Sequence, residues 1–290
     1  GLDFTQSYIL KLGIICLGIQ LKPFEFLEFG AVAIPLIIIC IATVLIVIKL
    51  LIKKLKIPTR MAYLISIGST VCGTTAIMAT APVIGAKKNE VSYAIANITL
   101  FGILSMLIYP YFANYYFDAE PMFVGLFLGT SIHETSQVAA AGLIYDQQFN
   151  SPETLNIATV TKLIRNTFLV IMIPLFAFLY NRNNVVKKDY SILAIFPYFV
   201  LGFVAMIILR NIGDQFFLNT YNNLWLEAVD AIKSSSKIFL TMAMAAIGLS
   251  TNLKDLKSMG YKPFLVGFIG MATVGLVSIL SIEFYINFLN

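Results

Sequence analysis

Charge is what this sequence has least of. Only 12% of its 290 residues are Asp, Glu, Lys or Arg, against 59% hydrophobic residues and a mean hydropathy of +0.85. A soluble domain carries about 25% charged residues, so a water-soluble globule is excluded and a polytopic membrane protein is implied. The net charge of +5 comes mostly from one loop, and it reports orientation in a membrane instead of affinity for nucleic acid. Histidine occurs once and cysteine three times, with no metal-ligand or redox spacing, so no metal site and no cofactor are expected. Cys16, Cys40 and Cys72 lie within apolar segments and read as free, buried thiols. No ATP-binding motif is present, which leaves a gradient as the energy source. There is no low-complexity tract, no soluble domain and no cleavable signal. The first residue is Gly1 and not Met, so further N-terminal spans are expected ahead of it.

What the sequence has in quantity is apolar runs of membrane-crossing length. A span needs roughly 17–25 mostly apolar residues to cross a hydrocarbon core of about 30 Å. Nine segments qualify: 8–21, 30–52, 61–85, 91–113, 121–143, 155–180, 191–210, 234–250 and 262–288. The first is short and carries Lys11 and Gln20, as a helix starting within protein would. Between 210 and 234, Tyr221 and Trp225 sit in an amphipathic stretch that suits a helix lying along the headgroups.

Short loops rich in Lys and Arg stay cytoplasmic. Lys49, Lys53, Lys54, Lys56 and Arg60 put the 49–60 connection inside. Arg182, Lys187 and Lys188 do the same for 181–190, and Lys254, Lys257 and Lys262 for 251–262. Loops 114–120 and 144–154 hold Asp118, Glu120, Asp146 and Glu153 with no Lys or Arg, and read as outside. Nine full crossings would carry Lys87 and Lys88 outside and the acidic 114–120 loop inside, against the rule. Seven crossings, with 61–85 and 121–143 dipping in from opposite sides and returning, put every loop where its charge belongs; discontinuous crossing helices are the alternative. The expected architecture is a single all-α transmembrane domain over 1–290.

Those two segments contain the residues around which the chain is organised. Residues 68–82 read GSTVCGTTAIMATAP and 129–142 read GTSIHETSQVAAAG, with glycine, hydroxyl and amide groups where a plain membrane helix has leucine. Broken backbone at membrane depth is tolerated only where protein buries it or it lines a wet cavity. The two are related at an offset of 61, Gly68-Ser69 and Thr74-Thr75 against Gly129-Thr130 and Thr135-Ser136. A second relation, at 230, matches Leu17-Gly18-Ile19 and Gly30 with Ile247-Gly248-Leu249 and Gly260, and its copies run in opposite directions. Inverted repeats meeting at the midplane are the mark of secondary transporters.

The candidate substrate site therefore takes in Ser69, Thr70, Cys72, Gly73, Thr74 and Thr75 from one segment, and Thr130, Ser131, His133, Glu134, Thr135, Ser136 and Gln137 from the other. Hydroxyls and helix N-termini at the breaks suit an anion, although small residues also serve tight helix packing. His133 and Glu134 are ionisable at depth and can carry a coupling proton; the plainer reading is that they brace the break. HETSQ resembles the zinc-protease pattern HExxH, but Gln137 stands where the second His is needed. Lys162 and Arg165, one turn apart, can neutralise an oxyanion, pair with Glu134 or Glu153, or reach the surface. Asn97 and Asn166 are placed to bridge the broken segments to neighbouring helices.

Together LKLGIICLGIQL, GSTVCGTTAIMATAPVI, GTSIHETSQVAAAG, KLIR at 162–165 and TMAMAAIGLSTNLKDL resemble the bacterial conserved membrane proteins labelled sulfate exporters. The resemblance covers nearly the whole chain and implies a multi-pass inner-membrane protein, distantly like bile-acid and cation/proton-antiporter-type carriers. The expected function is gradient-driven transport of a small anion, a sulfur oxyanion, sulfonate or carboxylate, with H+ or Na+ as possible coupling ion and a homodimer as possible assembly. An anion-binding sensor, a passive channel and an intramembrane enzyme are the alternatives.

Overall fold

The computed structural model describes residues 1–20, 23–55, 58–181, 199–217, 222–250 and 261–289, and among these every regular element is helical. Lys56, Arg182, Lys187, Lys188, Tyr221, Lys254, Lys257, Gly260 and residues 191–198 of the predicted 191–210 span lie outside the described residues. A π-helical turn (Thr5–Ile9), α1 (Leu10–Leu17) and a 3-10 turn (Gly18–Gln20) lead to α2 (Pro23–Leu55). Then follow α3 (Thr59–Thr70), α4 (Thr74–Thr80), α5 (Lys88–Tyr116), α6 (Pro121–Ser131) and α7 (Thr135–Phe149). The remainder comprises α8 (Pro152–Thr167), α9 (Leu169–Asn181), α10 (Phe199–Phe217), α11 (Asn222–Ser250) and α12 (Tyr261–Leu289).

By length and composition three helical stretches among the described residues can cross a membrane: Phe29–Leu51 in α2, Asn89–Tyr116 in α5 and Phe264–Asn287 in α12. Pro152–Thr167 with Ile171–Tyr180 makes a fourth, bent by 42°. The predicted 155–180 span is thus two helices. Its bend has a local cause: Phe168 N bonds back to Arg165 O (3.2 Å) and Ile171 N to Phe168 O (3.1 Å), two tightened turns in succession where the regular ladder slips. The predicted interfacial stretch is not a separate helix. α11 starts at Asn222 and runs through it to Ser250, because Trp225 docks against Gly213 and its Nε1 donates to Asp214 Oδ1 (2.8 Å), folding the start of α11 onto the end of α10.

The bent α8–α9 unit serves as a ruler for both broken segments. Along α8, Thr154 Oγ1 reaches Pro121 O (3.5 Å), Gly125 packs on Ile157, and Gly129 packs on Ala158 and Thr161, so α6 runs parallel to α8. Asn166 meets Thr135 and Leu155 meets Gly142, so α7 runs antiparallel to it. The chain enters at Pro121, turns at 132–134 and comes back to Asn150, whose left-handed φ of 55° closes α7 one residue before the turn into α8. Gly125 and Gly129 make this close approach possible, since an added Cβ at either would lie 2.6 Å from the Cβ of Ile157 or Thr161.

At the other end, Arg60 Nε donates to Tyr180 Oη (2.9 Å), and the Tyr63 ring meets Phe176 and Tyr180 edge-on. α3 therefore approaches the middle of α8–α9 from the α9 end, while α6 approaches from the α8 end. Gly68 packs on both Ile77 and Ile98. A straight helix would hold residues 68 and 77 about 13 Å apart, so α4 folds sharply back along α3. α5 and α12 run side by side in the same direction, through Asn97 at Gly267, Phe101 at Phe264 and Phe268, and Tyr116 Oη donating to Glu283 (2.5 Å). α1, α10 and α11 form a second group: Gly13 lies against Leu240, Ser236 Oγ donates to Gly13 O (2.7 Å), and Gly18 lies against Phe203. The ion pair of Lys237 with Asp146 (2.7 Å) ties that group to α7.

Candidate functional site

The two breaks are built alike. α3 ends at Thr70 and α6 at Ser131, α4 begins at Thr74 and α7 at Thr135, so the offset of 61 read from the sequence holds element by element. The first break, 71–73, ends at Gly73 with φ 62° and ψ −122°, backbone that only glycine adopts readily. Glu134 is packed so closely over Gly73 that a Cβ there would overlap its Cγ. The second break, 132–134, is extended at Ile132 (φ −82°, ψ 140°) and at Glu134 (φ −102°, ψ 145°).

A helix that stops at depth leaves its last carbonyls without intrahelical partners and a partial negative charge at its C-terminus. Here two such ends, of α3 and α6, meet. Lys162 Nζ donates to Val71 O (2.9 Å), Ile132 O (2.9 Å) and His133 O (2.5 Å). Arg165 donates from Nε to Thr70 O (2.9 Å), from Nη2 to Ser69 O (2.6 Å), and from Nη1 to Thr130 O (2.7 Å) and Ile132 O (3.2 Å). Both side chains are shut off from solvent, at 0% and 1% exposure. Among the described residues neither forms an ion pair with Glu134 or Glu153, and instead of reaching the surface both lie in the last two turns of α8, level with the breaks. The planar fork of Arg165 suits four carbonyls on two separate helices; the ammonium of Lys162 matches three with its three donors.

The departing helices, α4 and α7, present N-termini. Glu134 Oε1 accepts from Thr74 N (3.1 Å) and from Thr74 Oγ1, while the Glu134 side chain also caps α7. Gln137 closes this box, accepting from Glu134 N (3.2 Å) and donating to Thr99 O of α5 (3.3 Å). One carboxylate thereby faces the positive ends of two helices from different segments. Asn166 Nδ2 donates to Thr135 Oγ1 (3.0 Å), bridging α8 to α7 as its position implied. Asn97 lies between α5 and Gly267 of α12.

The hydroxyls divide into two sets. Thr70 donates to Ser66 O (3.0 Å), Thr130 to Leu126 O (2.7 Å) and Ser131 to Phe127 O (2.5 Å), each into its own helix, so these residues offer backbone carbonyls to the crossing. Thr74 and Thr135 are half-buried at the helix starts, and Thr75 is exposed. Cys72 is a free, buried thiol beside Gly73, and Ser136 is buried. The His133 ring is wholly buried at the second break, and neither of its nitrogens meets a hydrogen-bond partner among the described residues; the Ser69 hydroxyl is in the same position.

Ser278 is a contributor that sequence reading missed. Its Oγ lies 2.5 Å from Thr130 Oγ1, and α12 also brings Gly270 close to Ser69, so the last helix touches both inbound helices. The one signal for the tight α6–α8 contact was Gly125-x-x-x-Gly129, the small-residue spacing of close helix pairs. Among the described residues no cluster of His, Cys, Asp and Glu could hold a metal ion.

The profile of a family described as conserved hypothetical protein 698 matches residues 1–267. The chain is 35% identical to a UPF0324 membrane protein of Fusobacterium nucleatum, over 97% of this chain and 84% of that one. It is 37% identical to a UPF0324 membrane protein of Streptococcus agalactiae over 92% and 77% of the two chains, and 31% identical to one of Clostridium tetani over 97% and 81%. No solved structure matches.

Proposed function

The chain belongs to the conserved hypothetical protein 698 family of membrane proteins, and on that footing we propose that it is a secondary transporter, driven by a gradient, that moves a small anion across the bacterial inner (cytoplasmic) membrane by alternating access. The observation that carries this reading is the meeting of two broken segments, which reach the middle of α8–α9 from its opposite ends and are joined there by Lys162 and Arg165. We take 59–80 and 121–149 to be re-entrant hairpins of an inverted repeat, the first entering from the lysine-rich cytoplasmic side and the second from the other side. Irregular backbone at depth fits a transport site.

The charge balance supports an anion. Two buried cations face one carboxylate, and the positive ends of α4 and α7 lie beside them. Because Lys162 and Arg165 donate to backbone carbonyls, their part is to hold the crossing and set its potential. Direct contact with a sulfur oxyanion, sulfonate or carboxylate falls to Thr74, Thr75 and Thr135 at the helix starts. His133, buried and without a hydrogen-bond partner among the described residues, is the candidate for the coupling proton, together with Glu134.

Counterflow into proteoliposomes holding the full chain tests this, with labelled sulfate, sulfite, thiosulfate, taurine and small carboxylates. Saturable counterflow of at least one anion, returned chemically unchanged and lost in a His133→Ala protein that still folds, is the expected result. Binding without counterflow would indicate a sensor, unsaturable flux a channel, and altered substrate an enzyme.

A further inference from the structure

We propose that Lys162 and Arg165 are built-in occupants of the monovalent-cation position at the hairpin crossing, so that sodium is not a coupling ion there, and that removing the Lys162 ammonium uncovers a binding site for a free monovalent cation. The part concerning coupling rests on the transporter reading; the part concerning binding does not.

Sodium in a transporter with broken helices is held by carbonyls released where the helices unwind and by helix C-terminal ends. This crossing supplies such oxygens in quantity: Ser69 O, Thr70 O and Val71 O from the first segment, Thr130 O, Ile132 O and His133 O from the second. All six accept from Lys162 or Arg165 at 2.5 to 3.2 Å, and Ile132 O accepts from both. A carbonyl keeps a second lone pair, but a sodium ion using it would lie against two fixed positive charges with little water to screen them. The remaining acid, Glu134, faces the positive ends of α4 and α7, where the local field repels a cation.

The Lys162 nitrogen is the more instructive of the two. It is held by three carbonyls from two different segments, with no carboxylate in the set. That is an ammonium site whose ammonium is tethered. Truncation to alanine leaves the same three oxygens converging on an empty position next to two helix C-termini, and their combined partial charge attracts a small cation, with ammonium and methylammonium reproducing the three-donor geometry best. Methionine at 162 fills the space with apolar atoms and leaves no position to occupy.

The test is thermal unfolding of the purified full chain in sodium, potassium, ammonium, methylammonium and choline chlorides at equal ionic strength. For wild type one midpoint is expected in all five salts. Lys162→Ala is expected to melt lower in choline and to regain several degrees saturably in ammonium or methylammonium, by mass action on the folded state. Lys162→Met should melt lower and regain nothing. A saturable, sodium-specific stabilisation of wild type overturns the inference, as does folded Lys162→Ala that no small cation raises above its choline value. If Lys162→Ala cannot be recovered, wild-type protein decides alone through its sodium arm. Absence of counterflow for every anion would sink the transporter reading and leave these melting curves, and the cation site they report, unaffected.

Discussion

Replacing Arg165 by lysine separates the shape of this cation from its charge. The guanidinium makes four bonds, two to the end of α3 and two to the end of α6. A lysine ammonium has three donors on a single atom and no fork, so from position 165 it cannot reach all four carbonyls at once. It therefore forfeits one or two bonds. Interhelical hydrogen bonds in membrane proteins average about 0.6 kcal/mol with a maximum near 1.7, which puts the cost of Arg165→Lys at roughly 1–3 kcal/mol. Arg165→Leu loses the charge and all four bonds, about 2–7 kcal/mol on the same scale. Cys72 gives a direct readout, since it is 5% exposed and lies at the break itself. Its reaction with a maleimide dye, in a background where Cys16 and Cys40 are serine, reports opening of the crossing as temperature rises. The expected order of midpoints is wild type, then lysine, then leucine. Arg165→Lys melting with wild type while Arg165→Leu falls would refute the argument from geometry and leave charge alone as the requirement.

Gly73→Ala places a side chain at φ 62°, ψ −122° and into Glu134 Cγ, so beyond strain of about 1–3 kcal/mol it should also displace the cap on α4. Gly85→Ala, at φ 62° with open space around it, is the control, and its melting point should fall less. For the pair Lys237–Asp146, with side chains 40% and 6% exposed, Lys237→Met should destabilise more than Asp146→Asn, because only the former strands a buried carboxylate; equal midpoints would show that the pair is solvated. Since Arg165 ties the two breaks together, the hairpins should travel as one body past α11. Bridging Lys237→Cys to Asp146→Cys with a short cross-linker is then expected to stop counterflow until reduction, and unaffected flux would put the moving boundary elsewhere.

Much of this fold was readable because membrane backbone has so few options. Apolar runs gave the long helices, and glycine with hydroxyls inside such runs marked both breaks to within a few residues. The offset of 61 survived into the structure because equivalent positions do equivalent work: Gly68 and Gly129 admit neighbouring helices, and Thr74 and Thr135 start the departing ones. What could not be read was the partner of each polar group. Lys162 and Arg165 were plausible ligands for an anion or for Glu134, and nothing in their spacing said that backbone carbonyls more than 90 residues away on one side and about 30 on the other would take their donors. Carbonyls carry no sequence signature. The bend at Phe168 was hidden for the same reason, as it lies in how the backbone bonds around 165–171.

The choice of cations at the crossing follows from the environment. Two helix C-termini pointing at each other put partial negative charges and unpaired carbonyls into one volume. In water the solvent would settle them; at depth the chain must supply the partners. The hydroxyls of Thr70, Thr130 and Ser131 do not do it, since they donate within their own helices. Two basic side chains one turn apart provide eight donors from a single helix, and seven bonds to the two helix ends are formed. On the proposed transporter reading the same arrangement would keep the two broken segments from gating independently, because parting them would strip the acceptors of one side from both cations at once. Under that reading alternating access would move α3–α4, α6–α7 and α8 together, with the ion pair of Lys237 and Asp146 and the packing around it as the contact that gives way.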